Sequence, residues 1–118
     1  MKFAVVDGKL KTIGDFAKTR KAATRNSLKG WKTVVDALVD GEDHVFTGGI
    51  RTCNLCQLYY DDGDTVDSEC YGCPIRGVTG QGECRGTPFY AYRDTDDHGQ
   101  SLRAARRMVR LLEKLAND

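Results

Sequence analysis

The sequence has no long apolar run; the longest are Phe3-Ala4-Val5-Val6 and Phe89-Tyr90-Ala91-Tyr92. A membrane-spanning helix needs about 20 such residues, and the middle of a secretory signal about 7–15. Both are excluded within these 118 residues. Net charge is missing too: 18 Lys and Arg meet 17 Asp and Glu, for +1 overall, so the charge of the whole molecule selects no partner. Repeats and low-complexity tracts are absent, which removes solenoid and array architectures. Aliphatic side chains are scarce between 41 and 100. That stretch holds ten of the 13 glycines and both prolines, against fifteen apolar residues other than cysteine. Fixing a residue costs ~1–2 kcal/mol of backbone entropy, and glycine costs more. Burial alone does not offset that over so long a segment, so something else must staple it.

What is present is a globular composition, 40% hydrophobic and 30% charged, at a length that fits one domain. The charge is arranged in blocks. Residues 1–32 carry nine cations (Lys2, Lys9, Lys11, Lys18, Arg20, Lys21, Arg25, Lys29, Lys32) against Asp7 and Asp15. Residues 33–72 carry nine acids against Arg51. The blocks either face each other in the fold or face separate partners.

Local signals place the elements. Lys2–Val6 and Lys9–Ile13 read as strands joined by Asp7-Gly8, a pair suited to a tight hairpin. A short helix is predicted over 15–23. A better one covers Ser27–Val39, capped by Asn26 or Ser27, with Leu28, Trp31, Val34, Val35 and Leu38 at helical spacing and Gly41 beyond its end. The strongest runs from Gln100 to Leu115, started by Ser101 or by one of Asp94, Asp96 and Asp97. The fold class expected is a small, α-rich α+β domain. It consists of a helical hairpin, a zinc-stapled Cys-rich loop region and a short N-terminal β-hairpin. Residues 1–118 form a single domain divided into a basic hairpin or arm (1–25), a helix (26–40), a Cys-rich zinc-binding region (41–96) and a C-terminal helix (97–116).

Five cysteines fall between 53 and 84. Cys53-x-x-Cys56 and Cys70-x-x-Cys73 are thirteen residues apart, and Cys84 follows ten residues later. Two residues between thiolates let both sulfurs converge on one ion from a tight turn, and a second pair completes a tetrahedron at ~2.3 Å per bond. One structural zinc is therefore expected on four of the five. The ligands are Cys53, Cys56, Cys70 and Cys73, or that set with Cys84 in place of Cys70. A zinc ion contributes ~10–16 kcal/mol of apparent folding free energy in small modules, against ~2–4 for a disulfide. Disulfides leave one thiol over. An iron–sulfur cluster uses the same ligand type, and a redox dithiol needs a lowered thiol pKa. His44 and His98 read as surface or packed residues. With five thiols and two histidines, a closed site is expected and no enzyme. The glycines at 77–86 lack the Gly-Lys-Ser/Thr ending of a phosphate loop, and Asp61, Asp62 and Asp64 lack the bidentate Glu of a calcium loop.

The cysteine motifs also carry a resemblance. Cys53-Asn54-Leu55-Cys56-Gln57-Leu58-Tyr59, Cys70-Tyr71-Gly72-Cys73-Pro74-Ile75 and Cys84-Arg85-Gly86-Thr87-Pro88-Phe89-Tyr90, with a helix ending Arg110-Leu111-Leu112-Glu113-Lys114-Leu115, resemble a group of small uncharacterised bacteriophage proteins. The resemblance spans about residues 27–116 and leaves 1–25 outside. That group has no settled activity. The resemblance implies a phage-encoded protein in the cytoplasm of a bacterial host cell, and it implies that Cys84 belongs to the same motif as the two pairs.

The function expected is a non-catalytic module docking on a host macromolecule, most simply a host protein, for instance to inhibit host defence or gene expression. One alternative is nucleic-acid binding, with Lys18, Arg20, Lys21, Arg25, Lys29 and Lys32 meeting phosphates. Tyr59, Tyr60, Tyr71, Phe89, Tyr90 and Tyr92, with Arg76, Arg85 and Arg93, would then stack bases. The acidic run Asp61–Glu69 opposes that arrangement. The other alternative is thiol-redox or iron–sulfur chemistry. No membrane partner is expected, and the sequence does not give the oligomeric state.

Overall fold

The computed structural model describes residues 1–48, 52–59, 75 and 87–117. It is rich in helix and opens with a two-stranded antiparallel hairpin, β1 (Lys2–Val6) and β2 (Lys9–Ile13). Four helices follow: α1 (Arg20–Val39), α2 (Asn54–Tyr59), α3 (Pro88–Arg93) and α4 (His98–Asn117).

The hairpin turns where the sequence says it must. Asp7 and Gly8 both take positive φ, 53° and 75°, as a two-residue turn matched to strand twist requires. The register pairs Val6 with Lys9, Ala4 with Lys11 and Lys2 with Ile13, so these six side chains share one face. Phe3, Val5 and Leu10 lie on the other and pack into the core. Phe3 rests on α1 at Gly30, where an added Cβ would come within 3.1 Å of its ring. Residues 1–25 are therefore not a free arm. Beside β2, Phe46 forms a short parallel bridge to Lys9, with Leu10 N–H donating to its carbonyl at 2.9 Å.

The two helices expected over 15–23 and 27–39 are one. Thr19 caps α1, its hydroxyl accepting from Ala22 N–H at 3.3 Å, and the helix runs unbroken through Asn26 and Ser27. The physical reason is that the side chains of both candidate caps bond α2 instead of the α1 backbone, as described below. The boundary drawn at 25/26 thus falls inside a helix. The far end of α1 behaves as read. Gly41 takes φ 116°, and Gly41 N–H and Glu42 N–H donate to the carbonyls of Leu38 and Ala37. This is the paired closure that satisfies the last orphan acceptors of a helix. Asp97 starts α4, its carboxylate accepting from Gln100 N–H at 2.8 Å.

One cluster holds these parts together. Trp31, Val34 and Leu38 of α1 meet Ala104, Ala105, Met108 and Leu112 of α4, joined by Tyr92, Leu55, Val45, Ile75 and Leu10. Trp31 lies edge-on to Phe89 and Tyr92, at 6.2 Å and 5.2 Å between ring centres. The start of α4 is fastened to the end of α1, because His98 Nε2–H donates to the Leu38 carbonyl at 2.8 Å. Among the described residues no helix is long and apolar enough to cross a membrane.

Candidate functional site

The first Cys-x-x-Cys pair is docked on α1 by the two residues between its cysteines. Asn54 is fully buried, and its side chain makes three hydrogen bonds. Its Oδ1 accepts from Ala17 N–H at 2.8 Å and Asn26 Nδ2–H at 2.7 Å, and its Nδ2–H donates to the Ala17 carbonyl at 2.9 Å. Leu55 enters the core with 1% exposure. Its N–H donates to Ser27 Oγ at 3.3 Å, and the same Oγ lies 3.5 Å from Cys53 Sγ. So the spacer residues hold the knuckle, received by Asn26 and Ser27 of α1 and by the Ala17 backbone just before that helix.

This setting acts on the thiol. Cys53 is brought down to about 6, below the ordinary thiol value, first by a hydrogen bond from Cys56. Burial opposes the shift, while the Ser27 hydroxyl and the N–H groups of Cys56 and Leu55 add to it. The setting thus favours the thiolate form of Cys53 beside a second sulfur, the form in which cysteine binds a metal. Cys53 and Cys56 form no disulfide. Among the described residues no group of three or more His, Cys, Asp or Glu gathers to hold an ion. The described pair supplies two ligands of the expected four; Cys70, Cys73 and Cys84 lie outside the described residues. Ile75, two positions beyond Cys73 in the sequence, is buried in the same cluster as Leu55.

The basic block is laid out on surfaces. All nine cations of residues 1–32 are exposed, and none forms an ion pair among the described residues. On α1, Lys21, Arg25, Lys29 and Lys32 fall within about 80° of the helix circumference at 3.6 residues per turn. The buried Ala23, Ser27, Trp31, Val34 and Leu38 occupy the opposite side. Lys29 Nζ also reaches the Met1 carbonyl at 3.1 Å, which joins this ridge to the hairpin and its Lys2, Lys9 and Lys11. Lys18 precedes α1 and Arg20 opens it, away from the ridge, while Asp36 ends the ridge. The described acids Asp36, Asp40, Glu42 and Asp43 are exposed as well, so the described parts of the two blocks do not neutralise each other. The run Asp61–Glu69 lies outside the described residues.

Of the aromatics expected to stack bases, Tyr92 is taken out of reach by the core. Tyr92 has 1% exposure, and Phe89 and Tyr59 pack against the core. Tyr90 remains half-buried at the surface, with the Arg93 guanidinium 4.4 Å from its ring centre; Tyr60, Tyr71, Arg76 and Arg85 lie outside the described residues. The Tyr92 hydroxyl clamps one residue from both sides. It accepts from Val45 N–H at 3.0 Å and donates to the Val45 carbonyl at 2.5 Å. Burial pushes this phenol up to about 12, partly offset by the Val45 hydrogen bond.

Both histidines are fasteners. His44 stacks on Tyr92 at 4.6 Å, and its Nδ1 lies 3.1 Å from Ser101 Oγ. That Ser–His contact is no nucleophile pair, because Ser101 is fully buried. Sequence reasoning missed Asn26, Ser27 and Asn54 as parts of the knuckle; an Asn between the two cysteines was the one available signal. Scans against protein-family models, curated proteins and solved structures return no match for this chain.

Proposed function

We propose that this chain is a non-catalytic module, stapled by one zinc ion on four of its five cysteines, that holds a nucleic-acid duplex by its phosphate backbone. The carrying observation is that nine cations stand exposed on the hairpin, at the entry to α1 and along its outer face, unneutralised among the described residues. Like charges at i,i+4 on a helix repel by ~0.2–0.5 kcal/mol per pair. Lys21 with Arg25 and Arg25 with Lys29 bear that cost, and a row of phosphates removes it. Phosphate contact is favoured over base stacking because Trp31, Phe89 and Tyr92 are spent on the core. Such contacts position a backbone and carry no sequence information.

The zinc part is supported by two adjacent sulfurs, one of them a thiol with its pKa lowered, in a knuckle received by Ser27 of α1 and, through Asn54, by the Ala17 backbone. Asn54 and Ser27 would keep the first two ligands in place, and the ion would supply the cross-link that the glycine-rich segment lacks.

A fluorescent 20-base-pair duplex tests the binding. Its affinity falls with salt at a logarithmic slope near −0.9 per phosphate neutralised. Replacing Lys21, Arg25, Lys29 and Lys32 together by Gln removes most of that affinity. A salt-independent interaction, or a variant that binds as well as the parent, overturns the reading. Elemental analysis checks the staple: about one zinc per chain supports it, whereas a brown, iron-containing protein overturns it.

A second reading, docking on a host protein, has one observation in its favour. Val6 and Phe46 flank Lys9 on the outer hairpin face at 50% and 64% exposure. A Phe46→Ser variant that loses a stoichiometric protein partner while keeping duplex affinity would favour it over the first.

A further inference from the structure

The C-terminal helix repeats the pattern of α1 on its own outer face. Arg103, Arg107, Arg110 and Lys114 are all exposed and fall within about 60° of the circumference of α4. Arg106 flanks them, and Glu113 is the single acid on the helix. None of the five cations is in an ion pair among the described residues. The helix dipole accounts for little of this, since its influence is confined to the end turns and only Lys114 lies in the last one. Three arginines sit elsewhere on the ridge, and Arg103 repels Arg107 as Arg110 repels Lys114. A face that merely met water would intersperse acids.

The buried sides of the two helices fix where the ridges point. Ala23, Ser27, Trp31, Val34 and Leu38 of α1 share a core with Ser101, Ala104, Ala105, Met108 and Leu112 of α4. Each ridge lies opposite its helix's buried side, so the two face away from one another across the helix pair. Two rows of four cations on opposite surfaces cannot both lie along one straight backbone segment.

We infer that the α4 ridge is a second phosphate-backbone contact, so that one chain bridges two nucleic-acid duplexes. This rests on the reading of α1 as the first contact. The complementarity is of charge alone: four cations spaced over three helical turns against a polyanion carrying one phosphate per ~3.4 Å of each strand. With about four phosphates neutralised, raising salt from roughly 50 to 200 mM weakens the second contact about a hundredfold.

The experiment mixes the intact protein with two 20-base-pair duplexes, one carrying a donor dye and the other an acceptor. Energy transfer between them, with two duplexes bound per chain, is the result expected. Replacing Arg103, Arg107, Arg110 and Lys114 together by Gln abolishes the transfer and leaves one duplex bound with little change in affinity. Replacing the three arginines by Lys retains the transfer, which separates charge from fold. Transfer that survives the Gln variant, or a parent that binds one duplex without transfer, overturns this inference alone. A parent that binds no duplex overturns the α1 reading and this one with it.

Discussion

The two halves of α1 are fastened by different chemistry. Its first half receives the cysteine knuckle through polar groups: Asn26, Ser27 and the buried Asn54 opposite them. Its second half is held by an aromatic and aliphatic cluster of Trp31, Val34, Leu38, Tyr92 and the inner face of α4. Area burial is non-directional and scales with contact, so the second half stabilises the helix pair outright. Hydrogen bonds in the first half give little net energy but are costly to break once buried, so they fix position. A pair of neighbouring thiols needs position; a helix pair needs stability.

Substitutions should separate the two halves. The largest effect is expected from Trp31→Ala, which removes a buried ring from the centre of the cluster and should cost about 3–5 kcal/mol in urea unfolding. The alkylation rates of the Cys53 and Cys56 thiols should stay as in the parent under native conditions. A rise in those rates at once would mean the halves are not separable.

Next comes alkaline pH. The Tyr92 phenol is raised in the folded state to about 12, whereas an unfolded tyrosine ionises near 10. The unfolded chain therefore loses this proton first, and stability falls as pH rises from about 10 to 12. The total is on the order of 2–3 kcal/mol. Tyr92→Phe should start less stable, for want of the Val45 clamp, but show a flatter decline over that window; an unchanged slope would count against the buried phenol as the source of the decline.

Asn54→Ala tests the polar half. It strips Ala17 N–H, the Ala17 carbonyl and Asn26 Nδ2 of their partner and should cost about 2 kcal/mol. Its signature is faster alkylation of Cys53 and Cys56 out of proportion to that loss. A stability loss with thiols as protected as before would remove Asn54 from the knuckle. Ser27→Ala is the mildest, about 1 kcal/mol, through the Leu55 N–H left without its acceptor. A loss above that of Asn54→Ala would reverse the ranking.

Legibility follows the same divide. The apolar stripe of α1 and the long face of α4 were readable, since Trp31, Val34, Leu38, Met108 and Leu112 recur at helical spacing and a core has only to be apolar and periodic. The knuckle's fastening was not. Asn26 and Ser27 have the side chains of helix caps, and nothing adjacent to them shows that both bond a segment 28 residues away. Tyr92 looked like part of a stacking platform for the equivalent reason: a ring in a core and a ring on a surface are the same residue in a sequence.

By itself, the sequence determined what depends on a few neighbouring torsions and on periodicity. It set the Asp7-Gly8 turn, the Gly41 stop, the amphipathic C-terminal helix and the spacing of the cysteine pairs. Only the tertiary structure decided that α1 is continuous, that Tyr92 clamps Val45, that both histidines are fasteners and that two basic ridges face opposite ways. A polar side chain has several possible partners, and which one it takes depends on the groups that packing of distant helices carries within 3 Å of it.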